Sequence, residues 1–125
     1  MRVLVIDDDD ALREVIAGAL ESQGYEVLQA NNGRNGVDSL HRSPADLVIT
    51  DIIMPEQEGV GTILEIRKSF PDLKIIAMSG GTGSGSVDYL EVAEKLGAAD
   101  TLMKPFRQHQ LLSAVRGALG QVETA

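Results

Sequence analysis

Two periodicities alternate along this chain. Short aliphatic and β-branched runs recur at about 2–6, 25–30, 46–50, 73–77 and 99–103. They are apolar almost throughout, as strands covered on both faces require. Between them, apolar residues fall at helical spacing. Leu12, Val15, Ile16, Ala19 and Leu20 follow the one-face pattern of an amphipathic helix, with Asp9 or Asp10 placed to cap it and Gly24 to stop it. Asn31-Asn32-Gly33 opens a second, weaker helix ending near Ser43-Pro44. Val60, Ile63, Leu64 and Arg67 predict a third, stopped before Pro71. Leu90, Ala93 and Leu96 predict a fourth, ended by Gly97, and Leu111, Leu112, Val115 and Leu119 a fifth.

Five strands alternating with five helices read as an α/β domain with a parallel sheet. In such sheets ligands sit beyond the C-terminal ends of the strands. At that end the apolar pattern breaks three times in a related way. Val3-Leu4-Val5-Ile6 runs into Asp7-Asp8-Asp9-Asp10, Leu47-Val48-Ile49-Thr50 closes on Asp51, and Thr101-Leu102-Met103 runs into Lys104-Pro105. Carboxylates and a lysine at neighbouring strand ends describe one charged pocket. A Gly/Ser-rich stretch from Ser79 to Ser86 follows the fourth strand at the same end.

The 125 residues fit one domain, placed at residues 1–120 with a short C-terminal tail at 121–125. Hydrophobic residues make up 43% and aromatic residues 3%, so the core must be aliphatic. The net charge of −8 counts against direct binding to a nucleic-acid backbone, which needs clustered Lys and Arg, but not against a metal cation. Cys is absent, which excludes a thiolate site or disulfide framework and fits a reducing cytoplasm. No apolar run approaches the roughly 18–20 residues of a membrane span.

Asp7, Asp8 and Asp51 brought together would repel unless a cation intervenes. A hard cation with oxygen ligands, Mg²⁺ first, answers that need and keeps waters that a phosphate can replace. The plainer reading, that the Asp run only caps a helix, is preferred for Asp9 and Asp10. Lys104 is held near the acids by the Pro105 that follows it; a simple salt bridge to Asp51 or Asp7 and a role in neutralising a phosphoryl group are compatible. Ser79, at the end of Ile75-Ile76-Ala77-Met78, offers a hydroxyl that can donate to a phosphoryl oxygen, although alone it reads as a loop serine. Combined, these residues describe a carboxylate nucleophile, Asp51, that accepts a phosphoryl group, with Mg²⁺, Lys104 and Ser79 each taking one oxygen. His41 and His109 fall in helical segments away from the strand ends and read as surface residues.

The same residues resemble a known family. Val3 to Asp9, Asp46 to Pro55 with the following Glu58-Gly59, Ala77-Met78-Ser79-Gly80 and Lys104-Pro105-Phe106 are similar, in this order and spacing, to the receiver domain of two-component response regulators. The resemblance implies a flavodoxin-like (βα)5 three-layer sandwich with strand order 2-1-3-4-5. It implies that Asp51 is phosphorylated by a histidine kinase or phosphotransfer protein, and that phosphorylation alters a surface read by a downstream protein or drives dimerisation. It assigns Asp8 and Asp51 as direct Mg²⁺ ligands, Asp7 through water, and the Ile53 carbonyl as the remaining protein ligand. It also implies a cis Lys104–Pro105 bond.

Two positions depart from the family pattern. Thr101 stands where an aromatic residue normally couples phosphorylation to the outer face, so the Gly-rich loop after Ser79 is expected to carry the conformational change instead. Ile53 is apolar where a polar side chain could steer water, so slow autodephosphorylation is expected. Ile53 also counts against a phosphohydrolase of the haloacid-dehalogenase type, which needs a second acid there. A stand-alone regulator is the preferred form; the alternative is the receiver portion of a larger DNA-binding regulator or hybrid kinase. A receiver degenerate in its pocket would lack a member, and none is missing.

Overall fold

The computed structural model describes residues 1–52, 58–80 and 94–120, with 58–60 described through the backbone alone. Five strands, β1 (Arg2–Ile6), β2 (Glu26–Ala30), β3 (Leu47–Asp51), β4 (Lys74–Gly80) and β5 (Asp100–Lys104), form one sheet in the order β2-β1-β3-β4-β5. Every pairing is parallel, as the alternation of strand and helix patterns predicted. Helices α1 (Asp10–Glu21), α2 (Gly33–Arg42), α3 (Glu58–Ser69) and a C-terminal helix (Gln108–Ala118) cover it.

The layers follow from the two-residue period of the strands. Val3, Val5, Leu47, Ile49, Ile76, Met78 and Leu102 face one way and pack with Ile16 and Leu20 of α1 and Leu111 and Val115 of the C-terminal helix. Leu4, Ile6, Val48, Ile75 and Ala77 face the other way, against Val37 and Leu40 of α2 and Ile63 and Ile66 of α3. The fold is therefore the three-layer flavodoxin-like sandwich, with an aliphatic core on each side of the sheet.

Asp9 is the N-cap of α1, its carboxylate accepting from the Leu12 N–H at 3.1 Å. Gly24, at φ +90°, takes the left-handed turn that leads into β2. Asn32 caps α2. That helix sits close to its neighbours: a Cβ at Gly33 would fall 1.8 Å from Thr62 Oγ1, and one at Gly36 would fall 2.3 Å from Ile6 Cδ1.

The buried stripes of two helices differ from the predicted ones. Val15 is 68% exposed, and the stripe of α1 is Ile16, Ala17 and Leu20. In α3, Leu64 is 52% exposed while Thr62, Ile63 and Ile66 are buried. At about a third of a turn per residue, a stripe centred on Ile63 and Ile66 leaves Leu64 on its outer flank. β4 is also longer than the apolar run, because pairing with β5 continues through Ser79 and Gly80. Leu90 and Ala93 of the fourth predicted helix, the stretch after Gly80 and the tail at 121–125 lie outside the described residues; Gly97, its predicted stop, has φ +90°. Among the described residues no helix is long and apolar enough to cross a membrane.

Candidate functional site

Three strand ends bring the predicted charges together. Asp7 lies one residue past β1, where its N–H still donates to the Ala30 carbonyl at 3.1 Å. Asp51 is the last residue of β3 and pairs with Met78. Lys104 is the last residue of β5. By strand alternation Asp7, Asp51 and Lys104 continue the face that carries Val5, Ile49 and Leu102. β4 separates β3 from β5, so their backbones run about 10 Å apart; the long lysine stem spans that gap. Lys104 Nζ donates to Asp7 Oδ2 and to Asp51 Oδ2, both at 2.8 Å.

The environment of these charges is unusual. The side chains of Asp7 and Asp51 are 0% and 6% exposed, and that of Lys104 is 19% exposed. Burial by itself would lower the Lys104 pKa; hydrogen bonds to Asp51 and Asp7, and then their charges, outweigh it and hold the ammonium above the ordinary lysine value. Asp8 is exposed, yet it offers a carboxylate oxygen within 4.8 Å of oxygens from Asp7 and Asp51. Three carboxylates against one ammonium leave a formal charge of −2 at this point. An all-oxygen donor set with that residual charge fits a divalent hard cation.

The turn carrying Asp7 and Asp8 is tied at several points. Asp7 Oδ1 accepts from the Asp9 N–H at 2.9 Å. Arg13, on the first turns of α1, donates from Nη1 to the Asp7 carbonyl at 2.8 Å and from Nε to Gln29 Oε1 at 3.1 Å. Its Nη1 also lies 2.8 Å from Asp10 Oδ1. Sequence reasoning missed Arg13: its helical position marks only a polar face, and the folded turn alone brings it onto a backbone carbonyl.

Ser79 is fully buried but is not joined to this cluster by any hydrogen bond among the described residues. It follows the parity of Ile75 and Ala77, so it continues the opposite face of the sheet, and its hydroxyl donates to the Gly80 carbonyl at 3.4 Å. Thr101 is half-buried on β5 beside Ala77. Ile53 lies outside the described residues, as do the expectations built on it. The Lys104–Pro105 bond is cis. His41 and His109 are exposed, His41 tilted against Phe70 with ring centroids 5.1 Å apart.

Comparison with known proteins bears directly on this arrangement. Residues 3–116 match the model of the response regulator receiver domain. The chain belongs to the response-regulator receiver-domain family. Among curated proteins, this receiver domain is 39% identical over 119 residues to the transcriptional regulatory protein FixJ of Azorhizobium caulinodans, a match covering 95% of this chain and 55% of that protein. It is 38% identical over 114 residues to the CAI-1 autoinducer sensor kinase/phosphatase CqsS of Vibrio cholerae, covering 91% of this chain and 17% of that protein. The chain thus spans about half, or less, of the curated relatives it matches. A response regulator receiver domain protein from Clostridium thermocellum superposes with a TM-score of 0.87 at 33% identity, over 95% of this chain and 94% of that one. The receiver domain of NtrX from Brucella abortus gives a TM-score of 0.88 at 28% identity, over 96% and 99%.

Proposed function

We propose that this receiver domain is a phosphorylation switch in which Asp51 is the phosphoacceptor. The observation that carries this reading is the shared ammonium: Lys104 Nζ lies 2.8 Å from Asp51 Oδ2 and 2.8 Å from Asp7 Oδ2 in a site where both carboxylates are buried. The donor is a phosphohistidine of a histidine kinase or phosphotransfer protein. A carboxylate oxygen of Asp51 attacks phosphorus, the P–N bond breaks, and its electron pair leaves on the imidazole nitrogen, giving an aspartyl phosphate. An ion-paired carboxylate needs no general base for this. Lys104, which now neutralises Asp51, neutralises a phosphoryl oxygen in the product. Ser79, at the neighbouring strand end, donates to another once its hydroxyl turns from the Gly80 carbonyl toward the phosphoryl group.

In this reading Asp8 and Asp51 would hold Mg²⁺ directly and Asp7 through water, with the Ile53 carbonyl as the further ligand that the family resemblance implies. Bound there, the ion would supply Lewis-acid neutralisation of the phosphoryl oxygens. The hydrogen bonds support different roles for the two neighbouring acids. Both oxygens of Asp7 already accept, from Asp9 N–H and Lys104, which suits contact through water. The Asp8 carboxylate is exposed and suits direct ligation.

The output is a changed protein surface that binds a downstream partner or a second copy of the chain. The domain is a signalling module in a cytoplasmic setting, and the phosphoacceptor chemistry is the same whether it acts alone or within a longer regulator or kinase. Incubation with Mg²⁺ and acetyl phosphate, read by intact mass, tests the assignment. The parent is expected to gain one phosphoryl mass and Asp51→Asn to gain none. Uptake that survives Asp51→Asn, or none in the parent, overturns it.

A further inference from the structure

We infer that Arg13 is a positioning residue for the cation end of the site: it sets the Asp7–Asp8 peptide so that the Asp8 carboxylate points at Asp7 and Asp51. This rests on the Mg²⁺ reading above.

Asp8 is the exposed member of the three-carboxylate cluster. Its carboxylate is exposed and, among the described residues, makes no hydrogen bond of its own. It nevertheless converges with oxygens of two buried carboxylates to within 4.8 Å, against their repulsion. Its place must therefore come from the backbone. That backbone has just left the sheet: the β1–β3 pairing ends at Ile6 and Thr50, and Asp7 keeps one ladder bond, to Ala30. The carbonyl of Asp7 and the N–H of Asp8 belong to one planar peptide group. Whatever holds that carbonyl sets the direction in which Asp8 departs. Arg13 Nη1 holds it, at 2.8 Å.

The guanidinium is itself well fixed. Its side chain is 13% exposed, and its planar fork reaches Asp10 Oδ1 at 2.8 Å and Gln29 Oε1 on β2 at 3.1 Å. Three segments, the end of β1, the start of α1 and the edge strand β2, thus meet on one rigid cation. A surface pair at helical i,i+3 spacing would need only the Asp10 contact, and such pairs contribute little. The bond to the Asp7 carbonyl and the tether to β2 are what a positioning role requires.

The sign of the charge effect makes the inference testable. Removing a cation beside a cation site should, by Coulomb's law alone, tighten Mg²⁺ binding. Removing a group that orients a ligand should weaken it, by roughly 10–100-fold for partners that stand behind metal ligands. The experiment is Mg²⁺ titration by calorimetry on unphosphorylated parent, Arg13→Met, Arg13→Lys and Gln29→Leu, with thermal unfolding recorded without metal for each. Arg13→Met is expected to bind about 10-fold more weakly. Arg13→Lys, which keeps one donor for the carbonyl, should recover most of the loss. Gln29→Leu should fall between parent and Arg13→Met. Unchanged or tighter binding by Arg13→Met overturns the inference, as does a Lys variant no better than Met. If Arg13→Met does not fold, the Lys and Gln29→Leu variants decide: parent-like affinity in Gln29→Leu together with a loss of about 10-fold in Arg13→Lys leaves no role for the tether and rejects the inference. A parent that binds no Mg²⁺ instead rejects the metal reading, and this inference with it.

Discussion

Where the strands finish, Lys104 stands between two carboxylates that are almost wholly buried, Asp7 and Asp51. Where the strands begin, Arg2 pairs with exposed Glu26 and donates to the Pro44 carbonyl at 3.0 Å, while its N–H meets Asp46 Oδ2 at 2.8 Å. Nearby, Arg67 donates to the carbonyls of Pro71, Leu73 and Gly97 at 2.9, 2.8 and 3.1 Å. Both ends thus use single cations to tie several segments, two arginines at the start and one lysine at the finish, but with different acceptors. At the starting end they are surface carboxylates and backbone carbonyls, which water can serve in the cation's place. At the finishing end they are buried charges, which leave the cation hard to replace. The first arrangement closes loops; the second concentrates charge where an incoming phosphoryl group can be compensated.

Replacing Lys104 tests this contrast with the largest effect. Lys104→Met should destabilise by about 2–3 kcal/mol at neutral pH, less than the roughly 3–5 of a fully buried pair because the lysine is partly exposed. Phosphorylation by acetyl phosphate should slow by at least about 10-fold, since a compensating charge is lost. The lysine's contribution also has a signed pH dependence. Its pKa is raised in the folded state, so the stabilisation is complete below the unfolded lysine value, about 10.4, and is lost as pH rises through the folded value. Denaturant melts of parent and Lys104→Met should therefore converge at alkaline pH. Curves that stay parallel through that range would place the stabilisation elsewhere.

A smaller effect is expected at the other end. Arg67→Ala removes three charge-assisted hydrogen bonds to carbonyls that water can partly serve, and should cost about 1–3 kcal/mol with the phosphorylation end point unchanged. A lost end point would mean that the two ends are coupled through β4 and β5. The smallest effect belongs to Arg2→Met. The Arg2 side chain is 34% and that of Glu26 57% exposed, so water and salt screen the pair and its loss should stay within the scatter of surface substitutions. Hydrogen bonding to Arg2, then its charge, lowers the Glu26 pKa. The pair's contribution is therefore present above the ordinary glutamate value and fades as pH falls through the lowered one. A large, salt-insensitive loss in Arg2→Met would break the contrast between the two ends.

Most of the finishing end was legible in the amino-acid sequence. A buried parallel strand is a continuous apolar run, so Asp7, Asp51 and Lys104 stood out as the residues that ended such runs. Strand parity then places all three on one face. Ser79 was legible as a strand-end hydroxyl but not as a residue of the opposite face, because that depends on the register of β4 against β3. Arg13 and Arg67 were not legible. Both bind backbone carbonyls of other segments, and a carbonyl leaves no trace in residue type. Val15 and Leu64 misled for a related reason: helical spacing marks a stripe but not its edges, which the packing against the sheet decides.

The assignment of Asp51 is tested most directly by locating the acyl phosphate. The parent, loaded with acetyl phosphate and Mg²⁺, is reduced with borohydride, which converts a phosphorylated aspartate to homoserine, and the product is mapped by peptide mass spectrometry. The account predicts homoserine at position 51 alone. Homoserine at position 7 or 8, or at any acid away from the Lys104 cluster, would contradict it.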